Sequence, residues 1–84
     1  ELGHQAINVM GCMSAILGGL GHNVDCLSKV TIYYATQGYA ADLRTVIDCV
    51  APFFAGGLPA TTVVPLARLG LTGTMIEIEG IGAI

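Results

Sequence analysis

The sequence predicts an α+β fold: two amphipathic helices packed on one face of a mixed β-sheet, in the order α-β-α-β-β. Three observations predict it. Residues 3–20 and 39–51 repeat apolar side chains at helical spacing. Residues 28–34, 61–67 and 75–83 are rich in β-branched residues or alternate with a period of two. Gly- and Pro-bearing stretches separate the later segments.

In the first helix Ala6, Val9, Met10, Met13, Ile16, Leu17 and Leu20 form one stripe, with His4, Asn8, Gly11, Ser14 and Gly18 opposite. Gly11 and Gly18 each weaken a helix by roughly 1 kcal/mol relative to Ala, so packing must hold it. Gly21-His22-Asn23 offers a C-cap and an exit turn. Residues 2–24 carry no Asp, Glu, Lys or Arg and are long enough to span a bilayer. Their polar residues and glycines, without a flanking basic cluster, instead predict a helix lying on a sheet, with no membrane partner and no signal peptide.

The first strand places Val30, Ile32 and Tyr34 on one face and Thr31 and Tyr33 on the other, and Thr36-Gln37-Gly38 ends it. The second helix sets Tyr39, Leu43, Val46, Ile47 and Val50 against Asp42, Arg44, Thr45 and Asp48, with Arg44 and Asp48 spaced as a surface ion pair. Pro52 disrupts its last turn, after which Phe53 and Phe54 pack. Pro65 lies within the second strand and predicts an edge position, open to a neighbour. The helical link predicts that the first two strands run parallel, through a right-handed crossover.

A Gly/Thr-rich turn at 70–74 leads to the last strand, where Met75, Glu77, Glu79 and Ile81 point one way and Ile76, Ile78, Gly80 and Gly82 the other. A central strand keeps acids on a buried face only where something pairs with them, protonates them or uses them. Two helices cover one face only. The face with Glu77, Glu79, Thr31, Tyr33 and Met75 is left for another chain.

Composition agrees. With 84 residues the chain is a single domain over 1–84, and its start at Glu1 suggests that part of the domain lies upstream. It is 54% hydrophobic and 11% charged, against about 25% charged in ordinary soluble domains. Such excess apolar surface predicts self-association. The net charge is −3, with Lys29, Arg44 and Arg68 scattered, which disfavours nucleic acid as a partner. Cys12, Cys26 and Cys49 form an odd set without paired spacing, pointing to reduced thiols in a cytoplasmic protein. Cys12 and Cys49 fall on apolar helix faces as small buried hydrophobes. His4 and His22 flank the first helix too far apart to share a metal, and no metal or cofactor motif is present.

Several pieces, in order, resemble the Rid (YjgF-type) family of reactive-intermediate deaminases. They are Gly21-x-x-Val24, LSKVTIYY at 27–34, Phe53-Phe54, Pro59-Ala60, Ala67-Arg68-Leu69 and IEIEGIG at 76–82. The resemblance implies the C-terminal part of a chorismate-mutase-like fold, lacking the family's first third, and a homotrimer with small-molecule pockets between subunits. It implies that Glu77 orients the attacking water. The arginine that follows Pro-Ala in the family and grips the substrate carboxylate is here Thr61, which lacks the bidentate grip. Ile47 and Val63 hold places where relatives carry an asparagine and a cysteine.

The candidate site is therefore Glu77 as catalytic acid/base on a water, with Thr61, Thr62 and Tyr33 contacting substrate. Each has a plainer role: Glu77 a structural carboxylate, Thr61 and Thr62 β-formers, Tyr33 a sheet residue. Glu79 is expected to pair with Arg68. Three function classes follow: a hydrolytic deaminase of small imines or enamines, a non-catalytic trimeric binder, and, disfavoured by charge, an endoribonuclease.

Overall fold

The computed structural model describes residues 1–83 and shows the α+β architecture expected. Helix α1 spans Leu2–Gly19, strand β1 Leu27–Ala35, helix α2 Ala40–Val50, strand β2 Ala60–Leu66 and strand β3 Ile76–Gly82. No helix among the described residues is long and apolar enough to cross a membrane.

Helix α1 opens with the Glu1 side chain accepting from the His4 amide at 2.8 Å, a bond that lowers the Glu1 carboxyl below its ordinary value. It closes in a Schellman turn. Gly21 adopts φ +81°, its amide donates to Gly18 O, and the His22 amide reaches back to Leu17 O. Its inner side buries Leu2, Ala6 and Met10, whereas Ile16 and Leu20 at the far end are exposed. The expected stripe thus packs on the core through Met13 and Leu17 as well, but is fully buried only along its first half. Cys12 is exposed rather than buried, because it lies off that inner side; Cys49 does pack against the core.

The sheet order is β2-β1-β3. Strand β1 is central, parallel to β2 and antiparallel to β3. The parallel pair and the edge position of the Pro65-bearing strand are as expected. The last strand, however, is not central: among the described residues it pairs only with β1, on the side away from β2.

Val30, Ile32, Tyr34 and Ile76 meet Ala6, Met10, Val46 and Val50 in one core, closed by Phe54. Met10, Ile32, Val30, Val46 and Val50 are fully buried. In α2 only Val46 and Val50 are buried; Tyr39 and Leu43 are exposed. The expected Arg44–Asp48 pair does not form among the described residues.

Two contacts place β3. Gln5 donates its side-chain amide to Gly73 O and accepts from the Met75 amide, both at 2.8 Å, so that α1 grips the approach to the strand. At its other end Gly82 lies against the bulge between Leu27 and Lys29. A Cβ there would sit 2.3 Å from Cys26 O and 2.9 Å from Leu27 Cα, so only glycine fits without moving backbone.

Candidate functional site: the uncovered sheet face

Cross-strand partners share a face, so the register assigns every side chain. Lys29, Thr31 and Tyr33 of β1 point away from the helices. Beside them stand Ala60, Thr62 and Val64 of β2, and Ile81, Glu79 and Glu77 of β3. In rows across the sheet this reads Ala60–Lys29–Ile81, Thr62–Thr31–Glu79 and Val64–Tyr33–Glu77. No helix covers this face, as the sequence led us to expect.

Glu77, Tyr33 and Thr62 therefore come together on one surface. Thr61 does not join them: it is level with the buried Val30, on the helix side, and its hydroxyl donates to Pro59 O at 2.8 Å. Met75 also leaves the expected face. It precedes β3, packs against the helix-side core and bonds through its backbone to Gln5 and Ala35.

Glu79 finds a partner, but not Arg68. The Tyr33 hydroxyl donates to Glu79 Oε1 at 3.1 Å, reaching diagonally to the next row. That bond, then the charge of Glu79, and to a smaller degree that of Glu77, raise the phenol above its ordinary value. Arg68 lies beyond β2, exposed, beside a hollow lined by the 68–74 loop. Glu77 is exposed and has no side-chain hydrogen bond among the described residues. One chain alone forms no cleft around it, in keeping with a pocket expected between subunits.

One charged residue of this face escaped the sequence reading. Lys29 is half-buried, and its ammonium donates to the Thr62 hydroxyl. The signal was present, since alternation in LSKVTIYY puts Lys29 with Thr31 and Tyr33.

Among the described residues, the four best-formed surface hollows are lined by none of Glu77, Thr61, Thr62 and Tyr33. One of about 390 Å³, bounded by Asp25, Leu27, Phe54, Gly56, Gly57 and Pro59, adjoins the Thr61 end of β2. No cluster of His, Cys, Asp and Glu among the described residues fits a metal ion.

No family model matches the chain, and no curated protein does. Solved structures do. A YjgF/YER057c/UK114 family member from Mycobacterium tuberculosis superposes with a TM-score of 0.86 at 21% identity, over 100% of this chain and 69% of that one. A Rid family protein from Yersinia pestis gives 0.87 at 21% identity, over 100% and 63%. RidA from the Antarctic bacterium Psychrobacter sp. gives 0.79 at 23% identity, over 94% and 61%. The chain thus spans roughly two thirds of the length of these structures. In its fold, two helices on a three-stranded mixed sheet, the chain is similar to these structures of the YjgF/Rid family.

Proposed function

We propose that the chain acts as a Rid-type hydrolytic deaminase of small imines or enamines, in clefts formed between copies of itself. The observation that carries this reading is Glu77: a carboxylate without a partner of its own, on a sheet face that its own helices leave uncovered. A copy packed over that face would desolvate Glu77 and supply the rest of a cleft. Thr61 and Glu77 lie on opposite faces of one sheet, so a ligand touching both takes them from two different copies. In the reaction Glu77 accepts a proton from water as the oxygen attacks the imine carbon. That proton and the remaining hydroxyl proton pass to nitrogen, the C–N bond breaks, and ammonia leaves behind a carbonyl.

A homotrimer in a cytoplasmic setting goes with this reading, supported by the uncovered face and the odd set of thiols. The net charge of −3 favours a small ligand over RNA. Thr61 in the arginine's place favours a second reading, a binder without turnover. Losing a bidentate, charge-assisted grip costs about 2–4 kcal/mol, or about 30- to 1,000-fold in rate on a carboxylate-bearing imine.

Turnover of 2-aminoacrylate or iminopropionate by the wild type and Glu77→Gln tests both. Loss of activity in Glu77→Gln, with the assembly intact by sedimentation, is the expected result. A wild type that binds pyruvate or benzoate without any turnover is a binding module, and Glu77→Gln retaining full activity removes Glu77 from the mechanism.

A further inference from the structure

We infer that the loop of residues 68–74 is an oxyanion site, which holds the phosphate group of a small phosphomonoester on Arg68. The inference is independent of Glu77 and of any assembly, because one chain supplies the whole site. It takes up two features that the deaminase reading leaves unused. One is the Gly/Thr-rich turn at 70–74; the other is an arginine that does not meet its expected carboxylate.

The hollow beside Arg68 has a volume of about 320 Å³ and is lined by Ala35 and residues 68–74. That size lies at the lower end of small-molecule pockets, about 300–1,000 Å³. The loop is pinned at both ends. Leu66 O takes the Thr36 amide at 2.9 Å, and Gln5 holds Gly73 O and the Met75 amide. The Thr74 amide closes a turn on Leu71 O at 3.1 Å, with Gly73 as its third residue at φ +87°, a position that favours glycine.

Between these anchors the loop offers donors and lacks acceptors for them. The amides of residues 68–73 have no acceptor among the described residues. Nor do the Arg68 guanidinium and the Thr72 and Thr74 hydroxyls make a side-chain bond there. No Asp or Glu lines the hollow. Glu77 and Glu79 stand on the open sheet face, and Asp42 accepts from the Thr36 hydroxyl at 2.6 Å. A guanidinium, two hydroxyls and a run of amides, with no acid among them, complement an anion. A phosphate offers three terminal oxygens, enough for the guanidinium fork and the hydroxyls together, where a carboxylate offers two. One arginine on a chain of net charge −3 suits a single phosphate rather than a polyanion.

The test is a titration of the full chain with glycerol phosphate at constant ionic strength, followed by backbone amide shifts. Saturable shifts at 68–74 are expected, with a Kd on the order of 1 mM or tighter. Arg68 is exposed, so Arg68→Gln should fold. It should weaken binding about 10- to 100-fold, with Arg68→Lys in between. Thr72→Val should weaken it several-fold, which keeps the test open if Arg68→Gln does not fold. Glycerol should not bind, and a short RNA without a terminal phosphate should bind no more tightly than glycerol phosphate. Shifts that never saturate, an affinity unchanged in both variants, or shifts centred on the open sheet face overturn the inference. RNA bound more tightly, with an affinity that falls steeply with salt, overturns it in favour of a nucleic-acid surface. Each of these outcomes is separate from the Glu77 reading, whose test is turnover.

Discussion

Tyr33 and Glu79 form the one side-chain pair on the uncovered face that reports its own electrostatics. The phenol donates to a carboxylate, which favours the protonated phenol and raises its titration point. A group whose folded-state value is raised contributes stability in full below its ordinary value, about 10. The contribution is lost as pH rises through the raised value. The window is therefore alkaline, and its effect in the single chain is small because the pair is exposed. A ¹³Cζ-tyrosine titration should show Tyr33 above the ordinary midpoint, and Glu79→Gln should lower it. An unchanged midpoint in Glu79→Gln would mean that the bond does not persist in solution.

At the scale of elements, the molecule spends a polar side chain on holding strand to helix. Gln5 lies within the inward-turned first half of α1, yet its amide imitates a strand partner, giving to Gly73 O and taking from the Met75 amide. Those bonds fix where β3 begins, and so the position of Glu77 two residues further on. Gln5→Ala removes both and leaves a half-buried backbone amide unpaired, at a cost of about 1–3 kcal/mol. The expected result is faster amide exchange at 73–77 and a lower melting temperature, with helix content kept. Exchange confined to α1 would show that the strand holds itself.

For the whole molecule, the unresolved matter is surface. The chain exposes 5079 Å², where a compact monomer of its mass exposes about 4,700 Å². Ile81 on the open face and Leu66 at the end of β2 are part of that excess. A single chain with 54% hydrophobic residues gains by covering such a face. Sedimentation equilibrium at micromolar concentration should give a trimer, and a monomer there would refute the assembly on which the proposed clefts depend.

By itself the sequence determined the elements and, within the strands, the face most residues present, because both follow from local periodicity. Val30, Ile32 and Tyr34 inward, Thr31 and Tyr33 outward, and Pro65 on an edge were all legible from spacing and from the missing amide of proline. Glu77 with Tyr33 was legible too, from the alternation of IEIEGIG and KVTIYY. Only the tertiary structure decided which strand is central, that Glu79 turns to Tyr33 rather than Arg68, and that Lys29 reaches Thr62. Those are questions of register between segments 30 to 50 residues apart. Periodicity carries no record of register, since sliding one strand by two residues leaves every inward and outward assignment unchanged.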